Sequence, residues 1–81
     1  MNNKYSCYVI KDIKIGAFWK PFYVEHEEMA KRMYLQACTD KESLISNYPE
    51  DFQLWKVSDF DVLEGIHYPD LKYITSYTHP Y

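Results

Sequence analysis

The sequence predicts an α+β fold, in which an antiparallel sheet of three or four strands carries one main helix on one face. Apolar residues alternate with period two near the N-terminus, recur every three to four residues in the middle, and alternate again afterwards. The 81 residues are few enough to form one domain, with the element order β-β-α-(α)-β-(β).

The N-terminal segment predicts a hairpin of two strands. Residues 4–15 are rich in β-branched and aromatic residues, with Tyr8 and Ile10 on the face opposite Tyr5, Cys7, Val9 and Lys11. Gly16 can adopt the positive φ of the hairpin turn. Residues 18–23 form the second strand, where Pro21 indicates a sheet edge or a strand end because it lacks an amide proton.

A helix is expected at residues 26–38. Met29, Met33 and Ala37 recur every four residues with Ala30 and Tyr34 beside them, a pattern typical of an amphipathic helix. A second, shorter helical segment over residues 40–48 would turn its apolar residues, Leu44, Ile45 and Tyr48, inward.

A third strand is predicted over residues 52–57, with Phe52 and Leu54 on one face and Trp55 and Val57 on the other. The acidic pairs around it, Glu50-Asp51 and Asp59…Asp61, are interpreted as turn residues that bond backbone amides and not as a catalytic cluster.

The tail is expected to be a further strand over residues 71–78 or an extended arm. As a strand it would place Leu71, Tyr73, Thr75 and Tyr77 on one face and Ile74 on the other.

Composition limits the classes of function. Fifteen aromatic rings are too many for so small a core, so some are expected at an interface. We expect a homodimer formed through the sheet or the C-terminal arm, with Trp55, Val57, Tyr73 and Tyr77 as candidate interface residues.

The chemistry of enzymes and metal sites is not evident. The three histidines and two cysteines lack zinc-ligand spacing, and two glycines form no phosphate loop. We therefore expect a non-enzymatic protein without cofactor or metal, with Cys7 and Cys38 as free, buried thiols. No apolar run approaches membrane-helix length and no signal peptide begins the chain, so no membrane association is expected.

The N-terminal hairpin interleaves cations with rings. Residues 1–23 carry four lysines and one aspartate, whereas the rest of the chain is acidic and the formal net charge is −3. Cations and rings together hold single-stranded nucleic acid, the cations along the backbone and the rings on the bases. The alternative is that the rings build the core and the lysines protect an edge. The candidate nucleic-acid residues are Lys4, Tyr8, Lys11, Lys14, Phe18, Trp19 and Lys20.

Several short motifs occur in a recognisable order between about residues 5 and 61. The first is D-x-K-x-G-x-x-x-x-P-F, from Asp12 to Phe22, and the helix follows. Then come Glu42-Ser43, Tyr48-Pro49-Glu50-Asp51-Phe52, Leu54 and Asp59-Phe60-Asp61. In this order the chain resembles the small nonstructural protein of microviruses, the gokushovirus-type single-stranded DNA phages. The resemblance implies that residues 1–61 are the family-like core of the single domain and that residues 62–81 are variable.

The resemblance implies a protein made in the cytoplasm of the infected bacterium, absent from the virion, and acting in phage genome replication or single-stranded DNA synthesis. It supplies no catalytic residues. Two hypotheses follow: the protein binds single-stranded DNA through the basic aromatic hairpin, or it is an interaction module that binds the phage replication initiator or a host protein without contacting DNA.

Overall fold

The computed structural model describes residues 4–77, which form a five-stranded antiparallel sheet and one helix. The strands are β1 (Lys4–Asp12), β2 (Ala17–Phe18), β3 (Phe22–Val24), β4 (Phe52–Asp61) and β5 (Ile66–Ser76), and the helix is α1 (Glu27–Thr39). The predicted α+β class is confirmed.

The sheet has two long central pairings and one broken edge. β1 pairs with β4, and β4 pairs with β5, so β5 ends the sheet on one side. On the other side both β2 and β3 pair with β1. The predicted second strand is thus divided in two, since Pro21 has no amide proton to continue the ladder between Phe18 and Phe22.

The core lies between the sheet and α1. Tyr8, Ile10, Phe52 and Leu54 pack from the sheet against Ala30, Tyr34 and Cys38 of the helix. The strand faces predicted for β1 and the start of β4 are therefore confirmed. The helix begins and ends one residue later than predicted, and it buries Ala30, Tyr34 and Cys38, while Met29 and Met33 stay nearly half exposed.

Two short 3-10 turns, Leu44–Asn47 and Pro49–Asp51, replace the predicted second helix. Ile45 is buried as expected, but Leu44 and Tyr48 are mostly exposed, which corrects the prediction for both. With three residues per turn, Leu44 and Ile45 point about 120° apart and cannot both face inward, and Tyr48 lies just beyond the end of this 3-10 turn.

β4 runs four residues further than predicted and contains a β-bulge. The register passes from Tyr8↔Lys56 to Cys7↔Ser58, which leaves Val57 as an extra residue. The bulge places Lys56 and Asp59 on the same face, where their side chains form a 3.0 Å ion pair. Asp59 is therefore a strand residue and not part of a turn, whereas Asp61 accepts the amide protons of Leu63 and Glu64 in the turn as expected.

The tail is a strand and not a free arm, although Thr78, the last residue of the predicted strand, lies outside the described residues. A second bulge changes its faces, because Leu54 pairs with Thr75 while Trp55 pairs with Tyr73, leaving Ile74 extra. Ile74 and Tyr77 both pack against the core as a result. The prediction that Tyr77 shares a face with Tyr73 is wrong for this reason.

Candidate nucleic-acid interface

The face of the sheet opposite α1, here called the open face, carries a row of aromatic residues from three strands beside a lysine from a fourth. Lys11 is paired with Phe18, and Trp55 is paired with both Val9 and Tyr73. Side chains at paired positions share a face and lie side by side. The register therefore brings one residue each from β1, β2, β4 and β5 into contact: Lys11, Phe18, Trp55 and Tyr73.

These rings contact one another edge to face. The centroids of Phe18 and Trp55 are 6.1 Å apart, and those of Trp55 and Tyr73 are 5.9 Å apart. The Trp55 indole N–H donates to Gln53 Oε1 at 3.0 Å, which fixes the central ring. Phe18 and Tyr73 remain about half exposed, at 47% and 48%.

Lys11 places a positive charge over this row. Its Nζ is 5.3 Å from the Phe18 centroid and 5.1 Å from the Trp55 centroid. Such cation–π contacts are worth about 0.5–1 kcal/mol at exposed sites. They hold the ammonium group beside the rings, where a phosphate next to a stacked base would meet it.

An apolar cavity of about 530 Å³ adjoins the row on the same face. Its walls come from β1, the β2–β3 edge, β4 and β5, and they include Trp19, Tyr23, Val57 and Leu71. The bulge in β4 turns both Val57 and Ser58 toward it. Ser58, only 3% exposed, has its Oγ 2.9 Å from His67 Nδ1.

His67 connects the polar groups of the cavity. Its Nε2 is 3.4 Å from the Tyr23 hydroxyl, and its ring centroid is 4.7 Å from that of Phe60. Partial desolvation and the neighbouring Cys7 thiol raise the pKa of Tyr23, so its hydroxyl stays protonated at neutral pH. The cavity thus combines ring-lined walls with a short chain of hydrogen-bonding groups.

The residues predicted for nucleic-acid binding are dispersed by the fold. Lys11 and Phe18 lie on the open face, and Trp19 lies at its edge with its ring 5.3 Å from Phe52. Tyr8 is 2% exposed in the core, so the structure excludes it from contact with a ligand. Alternation along β1 also predicts that Tyr8, like Ile10, lies on the other face of the strand from Lys11.

The remaining lysines of that set lie elsewhere. Lys14 is in the exposed β1–β2 turn, and Lys20 lines a second groove with Ile10, Trp19 and Phe22. Lys4 lies at the other end of β1, with Nζ 5.9 Å from the Tyr68 ring centroid. At about 3.3 Å per residue, Lys4 and Lys11 are roughly 23 Å apart along the strand.

Three of the four predicted interface residues belong to the same surface as predicted DNA-binding residues such as Lys11 and Phe18. Trp55 and Tyr73 lie in the aromatic row, and Val57 lines the cavity. Tyr77 packs on the core side and is not on this surface. Sequence reasoning missed Gln53, Ser58 and His67, because only the register of β1, β4 and β5 brings them to the rings.

Charged residues on the helix side form local pairs. Lys31 contacts Glu27 and Glu28 within one turn of α1. Buried Lys56 makes 3.0 Å contacts with both Asp59 and Asp70. Desolvation acts to lower the pKa of Lys56, but hydrogen bonds to the two carboxylates outweigh it and raise the pKa.

These structural features define a small α+β domain whose sheet is covered by a helix on one face and exposes aromatic residues on the other. The family model described as Phage ORF5 protein matches residues 5–77. The chain belongs to this family and is a phage protein. No curated protein and no solved structure matches it.

Between residues 4 and 77, no helix has the length and apolar character needed to cross a membrane. Over the same range, no group of three or more His, Cys, Asp or Glu side chains is placed to hold a metal ion.

Proposed function

We propose that the protein is a non-enzymatic accessory protein of phage genome replication that binds single-stranded DNA on the open face. The microvirus resemblance supports the replication role and a site of action in the cytoplasm of the infected bacterium. The observation that carries the binding proposal is the aromatic row with Lys11 above it, half exposed on a sheet face that α1 leaves uncovered.

The physical argument rests on complementarity with unpaired bases. Aromatic side chains on a sheet can stack bases at about 1–3 kcal/mol each, whatever the sequence. Lysines beside the rings neutralise phosphates and release counterions. The net charge of −3 limits non-specific attraction, so we expect binding that depends on the rings as much as on charge.

The test is fluorescence anisotropy of a labelled single-stranded oligonucleotide at low and moderate salt, with tryptophan quenching recorded in parallel. We expect binding that quenches tryptophan and weakens with salt. Lys11→Gln should weaken binding several-fold and reduce the salt slope by about 0.7, the value for one lost phosphate contact. Trp55→Leu should weaken it about 5- to 100-fold, as expected for one lost stacking contact.

Matched controls lie in the segment between α1 and β4. Lys41→Gln changes the net charge as Lys11→Gln does, and Tyr48→Leu removes a mostly exposed ring away from the sheet. Both controls should bind as the native protein does. Equal losses in the controls and the open-face variants, with folding intact, would contradict the proposal.

A second function is favoured by a different surface. α1 exposes Met29 and Met33 four residues apart, near the acidic residues Glu25 and Glu28. Flexible methionines are common at protein-binding surfaces. An interaction module for the replication initiator or a host protein would use this helix, and Met29→Ser with Met33→Ser would then abolish pull-down of the partner from infected cells while leaving DNA binding unchanged.

A further inference from the structure

The cavity on the open face has a composition that selects one kind of ligand. Its walls are apolar and ring-lined, but Ser58, His67 and Tyr23 form a connected polar group within it. A purely aliphatic ligand would cover the half-exposed Tyr23 hydroxyl without giving it a new partner, at the cost of its lost contact with water. A flat heteroaromatic ring can satisfy both parts, its faces against the rings and its edge on the hydrogen-bonding groups.

The size of the cavity agrees with this ligand class. A volume of about 530 Å³ is within the usual range of small-molecule sites, roughly 300–1,000 Å³. The bulge at Val57 builds the polar end, since it turns Ser58 toward His67 in place of the opposite face. The cavity also opens beside the Lys11–Phe18–Trp55 row, so a DNA strand lying on that row could insert one base into the cavity.

We infer that the cavity is a nucleobase pocket, which receives one unpaired base between the β2–β3 edge and β5, with the half-exposed Tyr23 hydroxyl bonding to the base edge and His67 holding that hydroxyl in place. This inference rests on the proposed function, which it makes specific. The aromatic row would then stack neighbouring bases, and the cavity would hold one base in a defined orientation.

The experiment is an amide NMR titration with free deoxyadenosine and thymidine, which carry bases without phosphates. At least one nucleoside should give saturable shifts at Cys7, Tyr23, Ser58, His67 and Leu71. Leu71→Trp, placed at a 62% exposed wall position, should fill the cavity and weaken nucleoside binding at least ten-fold. Leu63→Trp adds the same ring in the β4–β5 turn and should leave binding unchanged.

Several outcomes would overturn the pocket. Shifts that do not saturate, shifts confined to Trp55 and Tyr73, or equal binding by Leu71→Trp and the native protein each contradict it. Saturation by decanoate with no response to nucleosides would instead assign the cavity to an aliphatic ligand.

Oligonucleotide anisotropy on the same samples separates the two claims. Oligonucleotide binding without nucleoside binding would leave the open face as a DNA surface and remove the base pocket. Nucleoside binding without oligonucleotide binding would keep the pocket and remove the proposed DNA function.

Discussion

At the scale of single residues, Tyr34 joins the helix to the sheet. Its side chain is fully buried, and its hydroxyl donates a 2.6 Å hydrogen bond to the Phe52 carbonyl at the start of β4. Burial, together with the neighbouring Cys38, raises the pKa of Tyr34 far above its usual range, so the hydroxyl remains a donor at any physiological pH.

We predict that Tyr34→Phe lowers the free energy of unfolding by about 1–2 kcal/mol, because a buried hydrogen bond is lost with little change in shape. Urea denaturation measures this difference. Tyr48→Phe is the control, since its side chain is mostly exposed, and it should change stability by less than about 0.5 kcal/mol. Equal effects in the two variants would contradict the role given to Tyr34.

Lys56 makes stability depend on pH. Its contact with Asp70 lowers the pKa of that carboxyl, so the folded state holds Asp70 ionised more readily than the unfolded chain does. The ionised Asp70 carboxyl therefore stabilises the fold at pH values above the ordinary carboxyl pKa, near 4. This stabilisation is lost as the pH falls through the lower pKa that Asp70 has in the folded state.

Lys56→Met should therefore flatten or reverse the loss of stability between pH 6 and pH 3, since Asp70 then loses the cation that favours its ionised form. Thermal melts across this range measure the effect. Lys31→Met, which breaks an exposed pair in α1, should leave the profile nearly unchanged. An unaltered profile in Lys56→Met would show that the buried lysine does not control acid stability.

At the scale of elements, glycine at two turns sets the strand connections. Gly16 and Gly65 both have φ of 69°, in the left-handed region, and open space surrounds the position that a Cβ would occupy at each. The cost of a side chain is therefore conformational and not steric. We predict that Gly16→Ala destabilises the fold by about 1 kcal/mol and that Gly16→Asn costs less, because asparagine tolerates this conformation. Equal costs by chemical denaturation would contradict this explanation.

Much of the fold could be predicted at this scale, because alternation and turn residues are local signals. Period two alone placed Tyr8 with Ile10 and Phe52 with Leu54 on one face of their strands, although it did not identify that face as the core. The exceptions arise where the period fails. Because of the bulges at Val57 and Ile74, Asp59 and Tyr77 lie on the faces opposite to those that strict alternation predicts. No local signal in the sequence marks either bulge.

The candidate site could be predicted only in part. The hairpin supplied Lys11 and Phe18, but their neighbours Trp55 and Tyr73 come from strands more than thirty residues away. Pairing of distant strands depends on the whole fold, so sequence patterns could not combine these residues into one surface. The apolar face of the helix was predicted one position away from the observed one. Tyr34 and Met33 are comparably apolar, so the sequence alone does not show which of them faces the sheet.

At the scale of the whole molecule, the sheet ends in a long edge. β5 spans 11 residues and has no partner on its outer side among residues 4–77. Exposed edges of this kind can pair with a second chain. Homodimer formation stays a prediction: light scattering should give a mass about twice 9.8 kDa at micromolar concentration.

Added oligonucleotide distinguishes the possible dimer surfaces. A dimer formed through the β5 edge should remain a dimer when single-stranded DNA binds, because the open face stays free. Dissociation by DNA would indicate that the copies meet through the open face. A monomer at all concentrations would contradict the prediction.

We propose that the open face is the surface that holds single-stranded DNA. The most direct measurement is an NMR footprint of a short oligonucleotide on the uniformly labelled protein. We expect the largest shifts at Lys11, Phe18, Trp55 and Tyr73, with α1 unaffected. Shifts confined to α1 around Met29 and Met33, or no shifts at saturating DNA, would contradict it.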